Sequence, residues 1–446
     1  MIAGLRSLLG KTGRMLASSP VVHNVGWLTF DKCFRMCLGI LVTALFARHL
    51  GPELFGMVSF AQAFVALFGP LTYLGLGGLV VKDLVEHPEQ AHEITGTTLA
   101  AKIASACLSF LLIIVIGRSV SDGSHLLYAI LIVTGFTVMA RPLSVCELWF
   151  QSRVQSKYAA LASLISFSLR ALVFLLLIFD KRGVLAFVVA GALAAGLNGL
   201  LLGVFCSLKG GALRLWRFSW SKARDLLGKS WLLMLAGWGA IISLKIDQLM
   251  LGKMSGQTEV GVYAAAVRIS ELFYFLPAFI ALSAFPGLVR LRSDSPAEYN
   301  RRFQALFDVL TWLAIPFALL VTFTAGPIIR LLFGQDFSGA AVILTIHTWA
   351  CIFVFMGEGL GKWFISENVL ILSPICHFSA AAVNILLNLV LIPRFGGLGA
   401  AVATVVSCAV DAFAVCLFHP TARRAGFMMA KSLLAPLRIL TGRRPL

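Results

Sequence analysis

The sequence GPELFGMVSFA at residues 51–61 returns about 205 residues later as GQTEVGVYAAA at residues 256–266. Each copy is a short turn between two long apolar stretches, and it therefore marks the same corner in each half of the chain. The wider repeat relates residues 26–61 to residues 231–266. Such a repeat inside an apolar sequence predicts a membrane transporter built from two lobes.

Composition indicates that the solvent around this chain is lipid. Of its 446 residues, 59% are hydrophobic and 13% are charged, and the mean hydropathy is +0.91, which leaves too few polar side chains to cover a soluble globule. A helix needs about 20 residues to cross the hydrocarbon core. Twelve apolar windows of that length lie at residues 25–47, 55–81, 96–117, 126–149, 158–179, 183–207, 231–252, 261–287, 305–329, 338–357, 369–392 and 397–418. The predicted fold is an all-α integral membrane protein with about twelve transmembrane helices in two six-helix lobes around a central cavity.

The net charge is +17, and the distribution of the positive residues along the chain predicts the topology. Most cations fall in loops on one side of the predicted membrane, so the positive-inside rule predicts that both termini are cytoplasmic. No folded polar face is available for DNA or RNA, and nucleic acid is not expected as a partner. The predicted segments are a basic N-terminal segment (1–20), an N-terminal lobe (21–207), a cytoplasmic linker (208–229), a C-terminal lobe (230–418) and a basic cytoplasmic tail (419–446).

Charged side chains inside the apolar windows are the candidates for function, because each costs roughly 2.5–3.5 kcal/mol at the centre of a membrane helix. A cationic, ligand-binding cavity is predicted from Arg35, Lys32, Lys245, Arg268, Trp238, Asn384 and Asn388. Possible ion coupling is assigned to Asp31, Asp247, Glu271 and Asp308. Arg268 and Glu271 stand three residues apart on one helix, and this spacing predicts that they pair.

The nine cysteines show no paired CxxC spacing and fall within apolar windows, so they are interpreted as packing residues. Neither a metal site nor a cofactor is predicted. Prolines at Gly69-Pro70 and Leu276-Pro277 occupy nearly matching places in the two halves, where each removes a backbone hydrogen bond and favours a bend.

Four segments carry a resemblance to a known family: LFARHLGPELFG at 45–56, KIDQLMLG at 245–252, GVYAAAVRISE at 261–271 and GGLGAAVAT at 396–404. From about residue 20 to 418 the chain resembles bacterial polysaccharide and O-antigen flippases, which are Wzx-like transporters of the superfamily that includes multidrug extruders. The resemblance implies transport of an undecaprenyl-pyrophosphate-linked oligosaccharide from the inner to the outer leaflet of the bacterial inner membrane by alternating access. It also implies membrane lipids and other polysaccharide assembly proteins as partners.

Two other functions fit the same class of sequence. An ion-coupled multidrug antiporter of the same superfamily needs carboxylates for cationic drugs, and the excess of Arg and Lys argues against it. A membrane polysaccharide polymerase, ligase or glycosyltransferase places its catalytic residues in a large outer loop, and every predicted outer loop here is short. The chain is therefore predicted to be a transporter and not an enzyme.

Overall fold

The computed structural model describes residues 20–211 and 213–435, and these residues form helices and turns with no strand among them. Packing contacts divide them into two units. The first unit comprises the described residues up to Thr43 together with Phe68–Met234, and the second comprises Ala44–Leu67 and the described residues from Leu235 onward. These units group residues by packing, and they place Ala44–Leu67 with the second unit. The predicted lobe boundaries at 21–207 and 230–418 stay a prediction.

The first unit holds the short helices that follow the first corner and four longer apolar helices. Its core contains Val145, Trp149 and Phe150, which are at most 1% exposed. The chain enters it through α1 (Pro20–Ala66) and leaves it through α9 (Trp220–Met254), which both continue into the second unit. Between them lie α2 (Gly69–Tyr73), α3 (Gly77–Glu86), α4 (Ala91–Val120), α5 (His125–Phe136), α6 (Val145–Ser152), α7 (Lys157–Phe179) and α8 (Val184–Leu208).

The second unit is built around an aromatic core. Phe303, Phe307 and Trp363 are at most 1% exposed there, and Trp363 lies edge-on to Phe303 with 4.9 Å between ring centroids. Its remaining helices are α10 (Gln257–Ser270), α11 (Leu276–Asp294), α12 (Pro296–Leu332), α13 (Ala340–His347), α14 (Ala350–Ser366), α15 (Leu372–Phe418) and α16 (Pro420–Leu433).

The sequence repeat has a matching backbone. Gly51 has φ 75° and ψ 171°, and Gly256 has φ 91° and ψ 171°. Essentially only glycine adopts this combination of φ and ψ, because any Cβ would collide with the residue's own backbone. The two glycines therefore make the same sharp turn, and the prediction of one corner used twice is confirmed at the level of the backbone.

Within the part of the chain that the structure describes, ten helical segments are long and apolar enough to span a membrane. Two of them contain a non-helical glycine, Gly51 in α1 and Gly396 in α15, and each thus joins two helices across a bend. The all-helical membrane fold is confirmed, while the count of twelve stays a prediction.

Several predicted windows are interrupted rather than continuous. The helix after the first corner ends at Ala66 and resumes at Gly69, and the helix after the second ends at Ser270 and resumes at Leu276. Pro70 and Pro277 each lie in the first turn of the resumed helix, where a missing N–H is tolerated. The predicted bends are therefore present at both prolines, as breaks between helices.

The segment after the last membrane helix begins with a further helix, Pro420–Leu433. Helix α16 packs against α12, α14 and α15, and it buries Ala422, Ala425 and Met429. Its backbone carbonyls accept hydrogen bonds from the indole of Trp363 at Thr421 (3.2 Å) and from the indole of Trp312 at Ser432 (2.8 Å). The predicted basic tail, 419–446, thus begins with a docked helix, and residues 436–446 lie outside the described residues.

Candidate functional site

Two of the predicted cations line one cavity in the second unit. Helix α9 contributes Lys245 and Gln248, α10 contributes Arg268, and Glu271 follows in the 3-10 turn Glu271–Phe273. The end of α1 contributes further lining residues, and the volume of the cavity is about 210 Å³. Its full lining is Ser59, Gln62, Ala63, Lys245, Gln248, Ala264, Val267, Arg268 and Glu271.

The ion pair in this cavity differs from the predicted one. Lys245 Nζ lies 3.3 Å from both carboxylate oxygens of Glu271, whereas Arg268 donates to Gln62 Oε1 at 2.8 Å. The expected Arg268–Glu271 pair is not formed, because Glu271 is bonded to Lys245 and Arg268 to Gln62, although both side chains line the same cavity. The cavity therefore holds two cations against one carboxylate.

A buried carboxylate lies next to Lys245 in the chain. Asp247 is 2% exposed, and it accepts hydrogen bonds from the hydroxyl of Tyr263 and from Thr404 Oγ1 at 3.1 Å. The backbone N–H of Gln248 donates to its other oxygen at 2.8 Å. These donors are neutral, and they satisfy the hydrogen bonds of the Asp247 carboxylate without cancelling its charge.

The two predicted asparagines are fully buried and bonded to each other. Asn388 donates to Asn384 Oδ1 at 2.8 Å, and Asn384 donates to Ser407 Oγ at 3.1 Å. Trp238 is half-buried and donates through its indole to the carbonyl oxygen of Leu67 at 2.8 Å. Asn388 Oδ1 is buried without a hydrogen-bond partner among the described residues, whereas the amide of Asn384 and the indole N–H of Trp238 are bonded to the protein. Substrate contact by any of the three residues stays a prediction.

The predicted residues of the first unit form a tight pair. Arg35 donates to both carboxylate oxygens of Asp31, at 2.9 Å and 2.6 Å, and the Asp31 side chain is only 5% exposed. Lys32 is exposed on the same helix. Since a two-pronged pair of this kind is strong, Arg35 and Asp31 largely neutralise each other. A substrate role for Arg35 and Lys32, and an ion-coupling role for Asp31, stay predictions.

Asp308, the last ion-coupling candidate, lies beside the docked C-terminal helix. Gln304 donates to Asp308 Oδ1 at 2.8 Å and to the carbonyl oxygen of Met428 at 2.9 Å. Gln304 therefore links Asp308 to α16. Asp308 is not among the residues that line the cavity at Lys245.

Sequence reasoning missed the neutral partners of these charges. Gln62 follows directly on the first corner, and Tyr263 interrupts an apolar run in the second, so both were visible as polar residues in apolar windows. His377 Nδ1 lies 2.8 Å from Asp411 Oδ1 beside a cavity of about 340 Å³ in the second unit, a pairing that sequence spacing did not predict. Among the described residues, no cluster of His, Cys, Asp and Glu could hold a metal ion.

The chain is similar to known transport proteins. It is 26% identical over 392 residues to the probable flippase AglR of Haloferax volcanii, covering 83% of this chain and 77% of that protein. It is also 26% identical to the succinoglycan biosynthesis transport protein ExoT of Rhizobium meliloti, covering 73% of this chain and 65% of that one. An inward-facing multidrug resistance transporter of the MATE family shares the fold at a TM-score of 0.73 with 14% identity, covering 89% of this chain and 96% of the other. Residues 21–292 match the family described as polysaccharide biosynthesis protein, and the chain belongs to that family.

Proposed function

We propose that this multi-pass membrane protein is a flippase that moves a lipid-linked oligosaccharide from one leaflet of the membrane to the other. The observation that supports it best is the cavity between α1, α9 and α10, where Lys245 and Arg268 outnumber Glu271 inside a helical membrane fold. Relatives named as a flippase and as a polysaccharide transport protein align over most of the chain. Transport of this kind makes and breaks no covalent bond.

The surplus of positive charge is suited to a phosphate-bearing headgroup. Arg268 is bonded to a neutral amide, so a phosphate oxygen that replaces Gln62 gains a charge-assisted hydrogen bond. Lys245 lies 3.3 Å from Glu271, which is longer than a typical charge-assisted bond of about 2.7–2.9 Å. A headgroup can therefore compete for both cations.

The finer features of the proposal come from the resemblance to polysaccharide flippases and, for the termini, from the distribution of positive charge in the loops. We take the carrier to be undecaprenyl pyrophosphate, the direction to be from the inner to the outer leaflet of a bacterial inner membrane, and both termini to be cytoplasmic. The lipid tail would stay in the bilayer while the protein offers its polar cavity to each leaflet in turn. Other polysaccharide assembly proteins remain expected partners.

Asp247 is the ion-coupling candidate that the geometry favours. Asp31 is neutralised by Arg35 and Glu271 is paired with Lys245, whereas Asp247 is buried among neutral donors. A buried carboxylate of this kind gains from binding a proton or a small cation, because isolated charge is costly in a membrane interior. We propose that ion binding at Asp247 supplies the driving force.

A multidrug antiporter is the second candidate, and the shared fold of a multidrug transporter is the observation that favours it. That likeness, at 14% identity, shows the fold alone. A cavity with two cations and one carboxylate would repel cationic drugs. The flippase is therefore the better supported of the two functions.

The test is neutralisation of the cavity cations in cells that lack the chromosomal gene. Lys245→Gln and Arg268→Gln should each weaken headgroup binding by roughly tenfold to a hundredfold, since a hydrogen bond to a charged group is worth about 1.5–3 kcal/mol. Surface glycan should fall, and its lipid-linked precursor should accumulate on the cytoplasmic side. Arg394→Gln is the matched control, because Arg394 is an exposed cation of the same unit outside this cavity. Normal export by both cavity variants would refute the proposed headgroup site.

A further inference from the structure

The first unit contains a cavity of about 260 Å³ that includes none of the predicted site residues. It lies where α2, α4, α6 and α8 meet the 3-10 segment Thr137–Ser144. Its polar lining is Tyr73, Thr137, Arg141, Ser144, Glu147 and Asn198.

The cations at this cavity are held in place by neighbours. Arg141 lies over Tyr73 with its guanidinium carbon 5.2 Å from the ring centroid, and it donates to Thr72 Oγ1 at 3.2 Å. Lys102 is 3% exposed and donates to Ser144 Oγ at 2.8 Å. A polar cavity whose groups are already fixed binds a ligand with little loss of side-chain entropy.

One acceptor in the lining has no partner. Asn198 Oδ1 is buried and receives no hydrogen bond from any of the described residues. Such a buried, unsatisfied acceptor costs about 1–3 kcal/mol, which a ligand that donates a hydrogen bond would recover. Because Asn198 lines the cavity, the donor can come from a molecule bound there.

The acceptors in the lining favour a ligand that can donate hydrogen bonds. Glu147 is exposed in the same lining and adds two acceptor oxygens to Asn198 Oδ1, and a fully ionised phosphate has no proton to donate to them. A neutral molecule rich in hydroxyl groups can donate to these acceptors and accept from Arg141. Tyr73 is 52% exposed, and its aromatic ring can pack against the apolar C–H groups of such a ligand.

We propose that this cavity binds a monosaccharide ring of the transported glycan, through Tyr73, Arg141 and Asn198, as a subsite built from different residues than the headgroup site at Lys245 and Arg268. The inference rests on the proposed flippase function and names the part of the substrate that the first unit recognises. Arg141 and the two acceptors orient the hydroxyl groups, and Tyr73 packs against the ring.

The test measures binding of two probes to the full-length protein in lipid nanodiscs. One probe is synthetic undecaprenyl pyrophosphate, which carries no sugar, and the other is the lipid-linked oligosaccharide purified from cells that lack this gene. Tyr73→Ala and Asn198→Leu should each weaken binding of the oligosaccharide lipid by about fivefold to tenfold, because each removes one ring contact or one hydrogen bond. Binding of undecaprenyl pyrophosphate should be unchanged.

Two further variants control for folding and for ring chemistry. Tyr73→Phe keeps the aromatic ring and should bind both probes as the unaltered protein does. Phe179→Ala removes an aromatic side chain of the same unit that is 83% exposed and lies outside the cavity, and it should change neither affinity. Asn198→Leu removes an unsatisfied acceptor, so this variant should remain at least as stable as the unaltered protein.

The outcomes separate the two proposals. Unchanged affinity of both Tyr73→Ala and Asn198→Leu for the oligosaccharide lipid overturns the sugar subsite. An equal loss for both probes also overturns it, because the cavity would then contact the pyrophosphate. If the unaltered protein binds neither probe, the flippase function itself fails.

Discussion

Gly56 and Gly261 are expected to tolerate alanine poorly, and for a reciprocal reason. Both are helical residues of the second unit, one turn after the paired corners. A Cβ placed on Gly56 would overlap the carbonyl oxygen of Gln257, and a Cβ on Gly261 would overlap that of Pro52. Neither oxygen can move without its helix, so one methyl group at either site must push the two segments apart.

The magnitude follows from two opposing effects. Overpacking typically costs about 1–3 kcal/mol, and alanine recovers up to about 1 kcal/mol over glycine through helix propensity. Because overlap with backbone is at the severe end, we expect a net loss of about 1–2 kcal/mol of unfolding free energy for Gly56→Ala or Gly261→Ala. Once one substitution has separated the segments, the second should add little.

The matched control is the pair Gly51→Ala and Gly256→Ala. A Cβ at either position meets nothing within 4 Å, so the cost is backbone strain alone, about 1–3 kcal/mol at each site. Strain in two separate turns should add, whereas overlap at one shared contact should not. Melting temperatures in detergent for the four single and two double variants measure this difference.

Abundance and glycan export should be measured on the same variants. A contact needed only for folding predicts loss of protein for Gly56→Ala, and a contact that must form and break during transport predicts normal abundance with stalled export. Additive melting-temperature losses for Gly56→Ala and Gly261→Ala, equal to those of the control pair, would refute the reciprocal overlap.

Three shorter predictions test the rest of the structure. Alkaline phosphatase fused within residues 208–229 should be inactive and within residues 118–124 active if both termini are cytoplasmic; the reverse pattern contradicts that topology. The variant Asp247→Asn should keep the hydrogen bonds from its hydroxyl neighbours and its normal abundance, but its transport should no longer respond to a sodium or proton gradient. The control Asp308→Asn should keep that response. Gradient-driven transport by Asp247→Asn would exclude this coupling site. Gly426→Val should lower protein abundance, because a Cβ there lies 2.6 Å from Cys416 Cβ and would displace α16, and wild-type abundance would argue against the docked helix.

The class of fold was predictable because it depends on sums over many residues. Hydrophobic content and window length are sufficient to identify membrane helices, and the repeated glycine corners predicted matching turns at Gly51 and Gly256. Breaks inside helices were harder to predict from the sequence. The interruption between α5 and α6, for example, falls in an apolar window where only Pro142 signals a 3-10 segment.

The hydrogen-bond and ion-pair partners of the charged residues could not be predicted from their spacing in the sequence. Lys245 pairs with Glu271 across 26 positions, and Arg268 bonds to Gln62 across 206. Helical spacing identifies neighbours within one helix, whereas these contacts depend on how helices pack. The polar cavity of the first unit was not predicted for the same reason, since Tyr73, Arg141 and Asn198 come from three separated segments.

The two cavity cations have unequal partners, and these would be exchanged differently for the anion of the proposed headgroup site. Arg268 holds a neutral amide, so a headgroup has only an uncharged partner to displace there. Lys245 is paired with Glu271 at 3.3 Å, and release of Lys245 would leave a carboxylate that must gain a proton, a cation or water. Binding of the proposed headgroup at Lys245 would thereby be linked to the charge state of Glu271. Coupling through Asp247 would add to this linkage, because Asp247 lies two residues along the same helix from Lys245.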